Sequence, residues 1–182
     1  HPATLLATAM DLRPGERALV LDAGEGLVAL HAARRGASVI GVEAGAAARL
    51  GLKRSFLLAG FGEPPLHADV ADVEGPFDAV LWAPAFLDAG LPQRLPEVLA
   101  QAASLLGRGG RILLPFPDLD AAWLGPALTT AGLRWAVLRY ERHHLVGPVR
   151  LYRAWWGRSG EAPGEVEGGE GLRGAGWVLK DR

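Results

Sequence analysis

Short apolar runs alternate along the chain with Ala- and Leu-rich stretches of helical spacing. Ala18–Asp22 (ALVLD), Ser38–Glu43 (SVIGVE), Leu66–Asp69, Ala79–Trp82 (AVLW) and Arg111–Leu114 (RILL) read as short buried strands. Between them, 28–35, 46–59, 95–106 and 121–131 carry helical patterns, the second stopping at Gly60 and the third closed by GRGG. Runs that are apolar throughout belong to strands covered on both faces, and this alternation predicts βαβ units around a parallel sheet. The end of the pattern differs. Leu133–Glu141 and Val149–Trp156 are both β-like, and only HHLVGP separates them. So short a link excludes a parallel crossover and predicts an antiparallel hairpin. Beyond Trp156 the chain turns Gly- and Glu-rich with few apolar anchors, so residues 157–182 are expected to form a flexible tail behind a single domain over 1–156. Trp177 and Val178 are the anchors near its end.

Composition narrows the function classes. The chain has 182 residues, 49% of them apolar, enough for one sizeable core. A net charge of −1 gives no global basic field for nucleic acid. Cysteine is absent, which removes disulfides and thiolate metal sites. No apolar run reaches a membrane span, and HPATLLATAM lacks a basic signal-peptide start, so a cytoplasmic location is expected. Lysine occurs only at Lys53 and Lys180, and asparagine does not occur. Such a bias fits a thermophile or a GC-rich genome equally.

Candidate chemistry collects where strands end. Asp22, Ala23, Gly24 and Gly26 occupy a strand-to-helix turn, the place where open α/β sheets bind ligands. Glycine lets backbone approach a ligand that a Cβ would block. Glu43, followed by Ala44, ends the next strand and suits a ribose diol; Asp69 and Val70 end the third and suit an adenine amine and ring. One such acid is often a helix cap. Three at successive strand ends, with the GxG at the first, point to a nucleoside site. Gly24–Ala29 also fits the dinucleotide fingerprint, with a nicotinamide-linked oxidoreductase as its consequence. Asp22 opposes that reading, because a pyrophosphate there wants positive partners. A cofactor with a cationic amino-acid end suits it.

VLDAGEG, GASVIGVEAG, HADV, FDAVLW and LLGRGGRILL, in this order from about Pro2 to Trp156, resemble a class I S-adenosylmethionine-dependent methyltransferase. The opening His1-Pro2-Ala3-Thr4-Leu5-Leu6 is similar to the Asp-Pro-Ala-Ser/Thr-Leu-Leu of the small-domain rRNA enzymes that methylate a guanine exocyclic amine. The resemblance implies a Rossmann-like α/β fold with a mostly parallel seven-stranded sheet and a C-terminal antiparallel hairpin. It implies S-adenosylmethionine as cofactor, with Asp22, Gly24 and Gly26 at the methionine end, Glu43 on the ribose, and Asp69 and Val70 at adenine. Three positions depart from the pattern. The third glycine of the turn is Val28, the opening Asp is His1, and the acceptor loop Asn-Pro-Pro-Phe is Ala83-Pro84-Ala85-Phe86. The loop's amide would aim the target amine's lone pair at the methyl group, a positioning effect worth several kcal/mol. With Ala83 in its place, the proline and the aromatic Phe86 remain as acceptor-loop candidates. A catalytically degenerate domain acting as a binding or scaffolding module is therefore the second expectation.

His31, His67 and the adjacent His143 and His144 lack metal-ligand spacing and are expected to cap, pack or face solvent. Trp82 reads as core. From 134 to 158 there are six arginines with Tyr152, Trp155 and Trp156 interleaved, so this hairpin is the candidate contact for an RNA substrate.

Overall fold

The computed structural model describes residues 2–84, 90–117, 121–143 and 147–166. Its elements follow the predicted alternation: α1 (Pro2–Ala9), β1 (Arg17–Leu21), α2 (Leu27–Arg34), β2 (Ser38–Val42), α3 (Ala46–Leu58), β3 (Leu66–His67), a 3-10 turn (Val70–Asp72), β4 (Phe77–Trp82), α4 (Leu91–Ser104), β5 (Leu106–Pro117), α5 (Ala121–Thr130), β6 (Leu133–His143), β7 (Gly147–Trp156) and β8 (Gly164–Glu165). The sheet order is β3-β2-β1-β4-β5-β7-β6-β8. Strands β3 to β5 run parallel, and β7 is antiparallel to both β5 and β6.

Apolar positions alternate between two cores. Leu19 and Leu21 of β1, with Val80 and Trp82 of β4, face Leu95, Leu99, Leu124 and Leu128 of α4 and α5. Ala18 and Val20, with Ala79 and Leu81, face Leu5 and Leu6 of α1, Val28 and Ala32 of α2, and Leu52 of α3. Burial on both faces explains why these strands read as unbroken apolar runs.

Two segments differ from expectation. GRGG, expected as a helix stop, lies inside β5, where the register against β4 shifts between Phe77 and Ala79. A Cβ at Gly110 would stand 2.7 Å from the Phe77 carbonyl oxygen, so only glycine lets the two backbones come this close. The second is the start of the stretch after Trp156, expected as part of a flexible tail over 157–182. It turns back, and β8 pairs with Arg134 and Trp135 of β6, giving eight strands rather than seven. Val166 N donates to Trp135 O at 2.8 Å, and Arg134 pairs with Glu161 at 2.6 Å. Residues 167–182, including Trp177 and Val178, lie outside the described residues.

One buried charge ties the loop after α1 to the sheet. Arg111 on β5 is 5% exposed. It donates to Asp11 Oδ1 (2.8 Å), Asp11 O (2.8 Å), Glu16 Oε1 (3.0 Å), Glu16 Oε2 (2.9 Å) and Asp78 O (3.2 Å). A guanidinium has five N–H donors, so its hydrogen-bonding capacity is met.

Candidate functional site

The carboxyl ends of β1 and β4 border a cavity of about 410 Å³, within the usual range of ligand pockets, about 300–1,000 Å³. Ala3, Asp22, Ala23, Gly24, Val28 and Ala83 are among its walls. Gly26 opens α2 at φ 98°, and a Cβ there would stand 3.1 Å from Leu52 Cγ. Glycine both permits the left-handed turn and lets α2 lie against α3. Val28, at the family's third glycine position, is buried in the α1–α2–α3 core without displacing the helix start.

Asp22 has φ 48°, a left-handed conformation that costs a non-glycine residue about 1–2 kcal/mol. Its carboxylate is held there: Trp82 Nε1 donates to Asp22 Oδ2 at 2.8 Å. Trp82 is 1% exposed and is core, as expected, but its indole N–H reaches the site as well. The second carboxylate oxygen of Asp22 is left for a ligand.

Glu43 is clamped from two sides. Gly24 N donates to Oε2 at 2.9 Å and Gly45 N to Oε1 at 2.8 Å. A carboxylate has about four acceptor positions, so one on each oxygen stays available after the side chain is fixed. Glu43 N in turn donates to His67 O at 3.0 Å, which joins the ends of β2 and β3. Arg49 Nη1 donates to the carbonyls of Glu43 (2.6 Å) and Ala44 (2.7 Å), stiffening the same turn. Asp69 caps the 3-10 turn, accepting from Ala71 N at 2.9 Å, and Val70 is half-buried against the core.

The structure thus gathers Asp22, Ala23, Gly24, Gly26, Glu43 and Ala44 around one turn. Asp22, Ala23 and Gly24 line the cavity, whereas Gly26, Glu43 and Ala44 stand beside it and Asp69 and Val70 stand at the neighbouring strand end. Ala83 lines the cavity and Pro84 is buried, while Phe86 and His144 lie outside the described residues. His31 is held below the ordinary imidazole range by burial and by Arg34 and Arg35, and it takes no part in the site. Among the described residues no cluster of His, Asp and Glu is suited to a metal, and no helix is long and apolar enough to cross a membrane. Sequence reasoning missed three contributors. Ala3 belongs to the opening segment that carried the family resemblance; Arg49 lies six residues beyond Glu43 in a helical pattern; and the Trp82 N–H had no sequence signal.

The hairpin arginines do not act as one patch. Arg134, Arg153 and Arg158 gather with Arg108, Trp155 and Trp156 in a second groove at the opposite edge of the sheet. Arg139 and Arg150 do not line it.

This layout, with its parallel sheet, terminal antiparallel strand and ligand turn after β1, is the class I methyltransferase fold. TrmN from Thermus thermophilus superposes with a TM-score of 0.71 at 25% identity, over 85% of this chain and 48% of that one. Magnesium protoporphyrin IX methyltransferase from Synechocystis PCC 6803, solved with bound S-adenosylmethionine, superposes with a TM-score of 0.64 at 20% identity, over 85% and 76%. In sequence the chain is similar to ribosomal RNA small subunit methyltransferase C of Chromohalobacter salexigens, 32% identical over 116 residues. That match covers 60% of this chain and 34% of the relative, so the chain spans about a third of the relative's length. No family model matches the sequence.

Proposed function

We propose that the chain binds S-adenosylmethionine at the β1–α2 turn and methylates an RNA acceptor. One observation carries the cofactor reading. The carboxylate of Glu43 is fixed by Gly24 N–H and Gly45 N–H, beside a cavity that Asp22 enters with a free oxygen. The donor set fits the ligand. The free Asp22 oxygen suits the ammonium of the methionine end, and the remaining acceptors of Glu43 suit the two ribose hydroxyls. No Cβ occupies the space above Gly24, where a built Cβ has Asp22 O, 3.9 Å away, as its one near neighbour. When bound, the cofactor supplies an electrophilic methyl group. The chain's residues hold and orient it, while the backbone at Ala83 and Pro84 borders the acceptor side. The sequence likeness to an rRNA methyltransferase and the fold likeness to TrmN support RNA as acceptor.

Trp82 is the positioning group of this site. Trp82→Phe is expected to weaken S-adenosylhomocysteine about tenfold, the loss of one hydrogen bond to a charged group. Binding of 5′-methylthioadenosine, which lacks the amino-acid end, is expected to stay unchanged. An equal loss for both ligands, read by calorimetry, would mean that Trp82 only supports the fold.

A second reading, a binding module without transfer, is favoured by Ala83, whose side chain offers no acceptor to an amine. The two separate in an assay of labelled methyl transfer to ribosomal RNA. The first reading predicts incorporation, raised about tenfold by Ala83→Asn if the acceptor is an exocyclic amine, the worth of one added hydrogen bond. Cofactor binding without incorporation would favour the module.

A further inference from the structure

The groove at the opposite edge of the sheet has no role in holding the cofactor. Its volume is about 1070 Å³, and it lies where β5 and β6 begin and β7 ends. Trp155 pairs with Arg111, and Leu113 pairs with Leu81, two residues before Ala83 of the cavity wall, so the groove stands four strand positions, about 13 Å along the strands, from the cofactor cavity. Four arginines line it, Arg108, Arg134, Arg153 and Arg158, against one carboxylate, Glu161. Glu161 is engaged by Arg134. The exposed guanidinium groups of Arg108 and Arg158 make no hydrogen bond or ion pair among the described residues.

Arg153 sharpens the case. Its side chain is 17% exposed, yet Nε and Nη1 are buried without a hydrogen-bond partner, and its carboxylate neighbour, Asp11 Oδ2, is 3.7 Å away. A buried donor left unpaired is costly, and burial together with the nearby Arg111 and Arg13 outweighs Asp11 and Glu16 in its electrostatic balance. An anion in the groove would add a counter-charge at the exposed part of this side chain.

The aromatic side chains give the anion a shape. Trp156 is 44% exposed, an unusual state for a residue so firmly held. Its indole N–H donates to Ala103 O at 3.2 Å, and its ring lies over Gly132, where a Cβ would come within 3.0 Å. Trp155 stacks beside the Arg153 guanidinium, 5.9 Å from its ring centroid. Rigid, partly exposed indoles beside the exposed Arg108 and Arg158 form a stacking platform with phosphate partners.

We infer that this groove binds a single-stranded RNA segment, its phosphates on Arg108, Arg153 and Arg158 and a base on Trp156, as an anchor remote from the methyl-transfer site. The choice of RNA rests on the proposed methyltransferase reading. The anchor would hold a flanking strand while the acceptor nucleotide reaches the carboxyl edge about 13 Å further along the strands. It would also explain why the chain concentrates arginine here while its net charge stays at −1.

The test uses the full chain and a fluorescein-labelled 12-nucleotide single-stranded RNA, with anisotropy read across a salt series. Arg108→Ala/Arg158→Ala is expected to weaken binding at least tenfold. It should also flatten the slope of log K against log salt by about 1.4, the two phosphate contacts removed. Trp156→Ala is expected to weaken binding several-fold and leave the slope unchanged. The thermal shift with S-adenosylhomocysteine should be the same in all variants as in the parent. RNA affinity and slope unchanged in the double variant would overturn the anchor while leaving the cofactor reading intact. Loss of RNA binding in the double variant of a parent that fails to bind S-adenosylhomocysteine would support the groove and overturn the cofactor reading. A parent that ignores RNA but binds an oligoglutamate peptide through the same arginines would overturn the assignment in favour of an acidic protein partner.

Discussion

Glu43→Ala is expected to weaken S-adenosylhomocysteine binding at least about 100-fold, because it removes the two ribose bonds to a charged group, each worth about 1.5–3 kcal/mol. The same change frees Gly24 N–H and Gly45 N–H, but both sit at a half-exposed turn where water can replace the carboxylate. The cost to the unliganded fold should therefore be small, about 1–2 kcal/mol. Glu43→Gln sharpens the test. Its amide nitrogen must face either the N–H of Gly24 or that of Gly45, so one clamp becomes donor against donor. The side chain then turns, and ligand affinity falls by more than tenfold although the size is kept. Calorimetric titration of both variants checks this; wild-type affinity in Glu43→Ala would remove the carboxylate from the site.

The largest stability effect is expected at Arg111, far from the ligand turn. Arg111→Ala leaves Asp11 and Glu16 without their shared cation and Asp78 O without a donor. Breaking one side of a buried ion network costs about 3–5 kcal/mol, and for a chain of this size that lowers Tm by on the order of 10 °C. The network also sets an acid limit. Burial pushes the Glu16 carboxyl up, but the hydrogen bond from Arg111 and that from the Arg13 backbone N–H outweigh it, and its pKa ends below the ordinary 4.5. A carboxyl lowered on folding stabilises at pH values above its unfolded pKa and loses that contribution as pH falls through the folded value. Tm of the parent should therefore drop below about pH 4.5, and Arg111→Ala should show a shallower acid limb. Thermal melts from pH 3 to 7 read both effects; equal Tm values for parent and variant at pH 7 would contradict the role given to Arg111.

Much of the fold was legible because its strands are buried on both faces. ALVLD, SVIGVE and AVLW hold no alternation to confuse with a half-exposed sheet, and the short HHLVGP link left a hairpin as its one solution. The turn residues of the site were legible because Asp22, Gly24 and Glu43 stand at strand ends in a fixed order. What escaped depends on contacts across the sheet. The bond from Trp82 to Asp22 joins residues 60 apart and follows from the register of β1 against β4, which no local pattern states. β8 escaped because GEAPGEV is too polar and short to read as a strand; its pairing rests on the backbone of β6 and on Glu161 meeting Arg134. The six hairpin arginines looked like one patch in sequence. Strand alternation and the position of each along β6 and β7 send only some of them to the groove.

The central claim, a cofactor site at the β1–α2 turn, is tested most directly by a thermal-shift titration of the unmodified chain with S-adenosylhomocysteine. At a hundredfold excess over Kd, one site stabilises by about 2.7 kcal/mol, a rise in Tm of roughly 5–10 °C. A saturable rise of that order is the predicted result. An unchanged Tm at millimolar ligand, with the chain folded, would contradict the account.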